Sequence, residues 1–225
     1  MESLRHLTAL DGPRAAVFDA DGVLWRGDVS EDFTRWMIDR GQFDGGLWDS
    51  YCADNEQDMG LGCLSILRFY VGYDLGELAE QVAEFWRSGG ERRWIESTVQ
   101  AIHWLANAGF SVYIVSGTPS PVLAPLVDHL PIPSDRILAL ELAADEHNRA
   151  TGLPQGIATH GPGKAAAIRN ATNDPVYLAV GNTHIDIEML ELSIDLRWAV
   201  EPDDKLRAVA ARENWTIIDH PENTK

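Results

Sequence analysis

The chain has 225 residues, with 35 Asp and Glu against 18 Lys and Arg, and a formal net charge of −17. That balance argues against a nucleic-acid partner, because little is available to neutralise a run of phosphates, and equally against an anionic membrane surface. The two cysteines, Cys52 and Cys63, make neither a disulfide framework nor a metal-ligand spacing. With no signal peptide or bilayer-spanning stretch legible, the expected compartment is the cytoplasm.

The apolar run Ala15, Ala16, Val17, Phe18 predicts a buried strand, which delivers Asp19 and Asp21 into a turn opening at Gly22. Side chains two apart on a strand lean the same way, so these carboxylates share a side. Crowded acids stay ionised only beside a cation or by sharing a proton, which predicts a metal-assisted acid site. An acidic surface turn is the plainer alternative.

From Asp28 onward strand signals give way to helical stripes. Ser30 reads as an N-cap, and Val29, Phe33, Trp36 and Met37 form one apolar face. Glycines at 45–46, 72 and 89–90 mark the joints. A helix over 92–108 leads back to alternating strands and helices. Strands are expected at 111–116, 136–140, 175–180 and 217–218, and helices at 121–129, 164–170, 185–192 and 203–212. That alternation predicts a doubly wound, mostly parallel α/β sheet, with residues 1–27 and 92–225 as its core and 28–91 as an inserted α-helical cap. Ligands of such sheets bind at the carboxyl ends of the strands, and an insert above that edge makes a natural lid.

Three further elements fall at strand carboxyl ends or the helix starts that follow. Ser116 offers a hydroxyl, followed by the accessible amide of Gly117. Lys164, in Gly-Pro-Gly-Lys, places a cation at a helix start where free amides favour phosphate. Asn182 and Asp186 lie in an oxygen-bearing loop suited to a hard cation. Each also has a bland reading, as a strand end, a surface lysine and an acid stabilising a helix dipole. Their joint order is what points to a site.

In these four stretches the sequence resembles the haloacid dehalogenase superfamily of phosphohydrolases. Phe-Asp-Ala-Asp-Gly-Val-Leu is similar to its first motif, Val-Ser-Gly-Thr to its second, the Lys164 helix to its third and Gly-Asn-Thr-His-Ile-Asp to its fourth. The insert after the first motif and the stretch Ser-Gly-Thr-Pro-Ser-Pro resemble the phosphoserine phosphatase-like branch. The resemblance implies a small-molecule phosphomonoester substrate, Asp19 as nucleophile and Asp21 as acid and base. Ser116, Gly117 and Lys164 would hold the phosphoryl oxygens. Mg²⁺ would bind Asp19, the Asp21 carbonyl, Asn182 and Asp186. Asn182 departs from the aspartate usual in the fourth motif, supplying an oxygen without a charge.

For the substrate, Asp28 follows Asp19 at the offset where phosphoserine phosphatases carry a glutamate for the substrate amine. Arg68 is a candidate for a substrate carboxylate, and equally an ordinary helix-surface arginine. Trp25 and the aromatic cap residues suit a cationic group, although rings at helical spacing usually form a core of their own. A phosphorylated amine, phosphoserine-like or phosphocholine-like, is the expected substrate. Phosphotransfer, dehalogenation and a phospho-accepting or binding module remain the alternatives.

Overall fold

The computed structural model describes residues 2–9, 11–88 and 94–219. At its centre is β1 (Ala15–Phe18), whose four residues are all fully buried. Parallel neighbours flank it on both sides, β2 (Ser111–Pro119) and β6 (Val176–Gly181). A strand covered on both faces needs the uninterrupted apolar run that β1 has. With β3 (Ile137–Leu140), β7 (Leu196–Val200) and β8 (Thr216–Ile218), the sheet order is β3-β2-β1-β6-β7-β8. The chain runs from β1 outward in both directions, so β1 is the switch point where a crevice opens.

Alternation along β1 sorts its side chains between two cores. Ala16 and Phe18 join the larger apolar cluster, shared with the insert. Ala15 and Val17 join the smaller cluster, which includes Ile168 of α7 (Pro162–Ala171), Met189 and Leu190 of α8 (Ile187–Leu190) and Leu206 of α9 (Asp204–Arg212). Asp19 continues the parity of Val17, toward the helix that carries Lys164.

The insert between β1 and β2 comprises α1 (Val29–Asp39), α2 (Trp48–Gln57), α3 (Met59–Ser65) and α4 (Leu75–Arg87), before α5 (Glu96–Asn107) returns to the sheet. Aspartates start three of these helices. Asp28, Asp58 and Asp74 accept hydrogen bonds from the first free amides of α1, α3 and α4, so Asp28 rather than Ser30 is the N-cap of α1. The expected joint at 89–90 and the start of the 92–108 helix lie outside the described residues. An antiparallel hairpin, β4 (Leu142–Ala144) with β5 (Ala150–Pro154), ties the insert to the sheet domain. The Gly72 amide donates to Ala150 O (2.8 Å), Ala150 N to Tyr73 O (2.9 Å) and Leu75 N to Asn148 O (3.0 Å).

Two expected helices are shorter than their periodicity suggests. The 121–129 segment begins as α6 (Ser120–Leu123) and tightens into a 3-10 turn over Ala124–Asp128, because Pro125 cannot donate to the preceding turn. The 185–192 segment opens as a 3-10 turn, His184–Asp186, held by a reciprocal cap between Thr183 and Asp186. Among the described residues no helix is long and apolar enough to cross a membrane.

Candidate active site

A cleft of about 360 Å³ opens at the carboxyl ends of β1, β2 and β6, beneath the insert. Asp19, Asp21, Ser116, Gly117, Lys164 and Asn182 line it, so residues from four separate stretches meet. Asp28 lines it from the insert side.

Lys164 reaches the cleft because of how α7 begins. A Cβ on Gly163 would lie 1.8 Å from the carbonyl oxygen of Ala158, so only glycine lets the helix start this close to the preceding loop. The ammonium is buried, 2.8 Å from Asp19 Oδ1 and 2.5 Å from Asp186 Oδ1. Burial disfavours the cation, but the two carboxylates outweigh it and hold Lys164 above the ordinary lysine range. Asp19 Oδ1 also accepts from the Ala20 amide at 2.7 Å, while Oδ2 takes no hydrogen bond and remains for the cleft. Two acids share one lysine here. Burial and then the charge of Asp186 therefore push Asp19 up to about 7, with Lys164 pulling the other way.

Asp21 is oriented by three donors. Its Oδ1 accepts from Trp25 Nε1 (2.9 Å) and the Val29 amide (2.7 Å), and its Oδ2 from Thr118 Oγ1 (2.6 Å). Burial first, then the charge of Asp28, holds its carboxyl well above the usual range. Three donors fix the direction in which the carboxyl points, and proton transfer needs a group held in that way.

Asp186 is placed differently from the expectation. Its Oδ1 meets Lys164, and its Oδ2 accepts from the amides of Asn182 (2.9 Å) and Thr183 (3.0 Å). It is fully buried and does not line the cleft, because both oxygens are committed behind the lysine. That takes it out of the candidate metal ligands and makes it the residue that positions Lys164. Asn182 gains what Asp186 loses. Its Oδ1 is buried with no hydrogen-bond partner, which leaves a lone neutral oxygen for a cation. The Asp19 carboxylate and Asn182 Oδ1 are oxygen donors of the kind that Mg²⁺ favours, and the Asp21 carbonyl is a third that the motif resemblance implies. Among the described residues no three His, Cys, Asp or Glu side chains gather as a metal cluster.

Gly22 makes room for that amide. It sits at φ +71°, and a Cβ there would fall 1.9 Å from Asn182 Nδ2. We expect Gly22→Ala to cost about 1–2 kcal/mol from the left-handed backbone alone. By displacing Asn182 it should also raise the Mg²⁺ concentration needed for half-maximal activity. A melting curve and a Mg²⁺ titration check both, and an unchanged Mg²⁺ requirement would argue against Asn182 as a ligand.

Two sequence candidates lie away from the cleft. Trp25 is 1 % exposed and packs edge-on against Trp86 and Trp94, with ring centroids 6.0 and 5.4 Å away. Its contribution is the indole hydrogen bond to Asp21 rather than a substrate contact. Arg68 pairs with Asp54 and does not line the cleft, because a carboxylate one helix away already holds it. Of the aromatic residues in the insert, Tyr51 alone among the described residues lines the cleft. Trp36, Tyr70 and Tyr73 pack against Phe33, Phe43 and Phe85 as the insert's own core.

A family model for haloacid dehalogenase-like hydrolases matches residues 16–191. The chain belongs to that family. This hydrolase is 26 % identical to the phosphoserine phosphatase SerB1 of Mycobacterium tuberculosis, over 93 % of its own length and 72 % of the relative's. Its fold superposes on a protein of unknown function from Bordetella pertussis Tohama I with a TM-score of 0.81 at 19 % identity, covering 93 % and 99 % of the two chains. A substrate-bound phosphoserine phosphatase gives 0.63 at 16 % identity, covering 93 % and 94 %. The resemblance read from the four motifs is borne out, and so is the doubly wound α/β fold.

Two supporting residues of the hydrolase escape sequence reading. Thr118 was within reach of it, since it stands two residues beyond Ser116, and its amide donates to Ser116 Oγ at 3.1 Å. Thr159, whose hydroxyl donates to the Ser116 carbonyl at 2.6 Å, is 43 residues away and has no local signal.

Proposed function

We propose that this hydrolase is a Mg²⁺-dependent phosphomonoesterase that passes through an aspartyl-phosphate on Asp19, with residues 28–91 as its cap. The observation that most supports this is the pairing of carboxylates on one cleft. Asp19 is anchored by lysine through one oxygen and free at the other, and Asp21 is aimed by three donors.

In the first step Asp19 Oδ2 attacks phosphorus and the bond from phosphorus to the leaving oxygen breaks. Asp21 gives its proton to that oxygen, releasing an alcohol. In the second step the Asp21 carboxylate takes a proton from water as the water oxygen attacks phosphorus. The bond to Asp19 then breaks and inorganic phosphate leaves. Ser116 Oγ and the Gly117 amide hold the phosphoryl oxygens, and Lys164 offsets the charge shared between them and Asp19. Mg²⁺, held by Asp19, the Asp21 carbonyl and Asn182, would supply further charge neutralisation at the phosphoryl group. A dehalogenase has no use for the second acid, and Asp21 is among the most firmly held side chains in the cleft. Both cysteines are free, which suits a reducing compartment such as the cytoplasm.

The test is a panel of small phosphomonoesters assayed with Mg²⁺ and after chelation. We expect hydrolysis with the metal, a loss of at least about 100-fold without it and recovery on adding it back. Equal turnover in chelator would overturn the metal dependence, and no turnover on any ester would overturn the reaction.

A further inference from the structure

We infer that the substrate is the phosphomonoester of a short amino alcohol, carrying a free primary ammonium and no carboxylate. The inference rests on the phosphomonoesterase reading above and narrows it to a class of leaving group.

The cleft is strongly asymmetric in charge. Among the described residues on its wall Lys164 is the only cation, and it is already shared by Asp19 and Asp186. At the insert end stand Asp28 and Glu31. Asp28 spends Oδ1 on the first turn of α1, accepting from the Ser30 amide (2.8 Å), Ser30 Oγ (2.6 Å) and the Glu31 amide (3.0 Å). Its other oxygen takes no hydrogen bond, and no cation among the described residues pairs with it. Glu31 Oε1 accepts from the Tyr51 hydroxyl at 2.8 Å, and its Oε2 has only the exposed Arg35 at 3.8 Å. The charge of Asp28 is felt across this end. Burial pushes Asp21, Glu31, Tyr51 and Cys63 upward, and Asp28 adds to the shift of each. An anion with that reach lacks a counter-charge.

A substrate carboxylate finds no cation there among the described residues, only the neutral side chain of Asn55. The N-terminal amides of α1 would otherwise receive it, but Asp28 already occupies them. Ser30 and Tyr51 donate to the two acids, and Arg68, the candidate for this task, is held by Asp54. A primary ammonium meets the opposite situation, with three N–H donors facing two carboxylates and acceptor oxygens to spare. A quaternary ammonium is less well matched, because it needs several aromatic faces and Tyr51 is the one ring on the wall.

The experiment compares O-phosphoethanolamine, O-phosphoserine, phosphocholine and ethyl phosphate with the Mg²⁺-loaded enzyme. We expect kcat/KM for phosphoethanolamine to exceed that for phosphoserine by about 100-fold, the scale of a like-charge penalty at close contact. We expect the advantage of phosphoethanolamine over ethyl phosphate to collapse in Asp28→Asn, a substitution that keeps a competent N-cap and removes the charge. Calorimetric titration of Asp19→Asn with the same four compounds reads the selectivity without turnover, so it separates a wrong substrate class from a wrong reaction. Tighter or equal binding of phosphoserine overturns the inference. So does an Asp28→Asn enzyme that keeps its preference, or absence of phosphoethanolamine binding in the titration.

Discussion

Asp19→Asn is expected to lower turnover by at least about 10⁴-fold and to shift the melting temperature by less than about 4 °C. The two halves of that expectation have separate causes. Turnover goes because an amide oxygen cannot form the acyl-phosphate, and neither Asp21 nor Asp186 can stand in. Asp21 is tied by Thr118, Val29 and Trp25, and Asp186 is enclosed behind Lys164. Stability survives because the substitution is isosteric and Asn Oδ1 can still accept from Ala20 and Lys164. It also removes a charge that burial and Asp186 make costly, as the raised carboxyl shows. Steady-state assay beside a melting curve checks both halves. Activity within 100-fold of wild type would mean a different nucleophile, and a collapsed melting curve would mean that the loss says nothing about chemistry.

The parts of the site legible in the sequence are those fixed by local geometry. The buried strand Ala15–Phe18 forces Asp19 out at its end, and Gly161 and Gly163 around Pro162 set the start of α7 and so the placing of Lys164. The illegible parts depend on contacts between distant segments. Nothing near Asp186 says that its carboxylate turns to Lys164, because that choice belongs to a residue 22 positions away. Strand β7 went unread because Arg197 interrupts its apolar pattern at a position where the structure leaves the side chain half-exposed. The β4–β5 hairpin went unread because its turn uses Asn148 at φ 61° without the Asn-Gly pair that signals such turns. Its purpose is visible only in three dimensions, where it clasps the insert. Asp28 is the instructive mixed case. Its offset from Asp19 points to the substrate by resemblance, while its capping bonds to α1, on which the inferred substrate preference rests, appear only in the structure.

The second large effect is expected from Lys164→Met, which leaves Asp19 and Asp186 buried together without their shared cation. Removing one partner of a buried charge cluster costs about 3–5 kcal/mol, so a fall in melting temperature of roughly 10 °C is expected in metal-free buffer. The size of the deficit should depend on pH. Asp19 already has a folded-state value near 7, above the 3.8 of an ordinary aspartate, and loss of the lysine that lowers it raises it further. A group raised on folding stabilises below its unfolded value, and that contribution is lost as pH rises through the folded one. The variant should therefore lie closest to wild type near about pH 5, where Asp19 is protonated in both proteins, and fall furthest behind at about pH 8. Asp186→Asn provides the contrast. It leaves Lys164 with Asp19 and removes the repulsion between the acids, so it should cost less stability than Lys164→Met. It should still lower kcat, because a neutral amide oxygen in place of the carboxylate holds the ammonium less firmly at that 2.5 Å contact, beside the phosphoryl oxygens. Denaturant melts of both variants at the two pH values decide the matter. A Lys164→Met deficit independent of pH would show that the lysine fills space rather than balancing the two carboxylates.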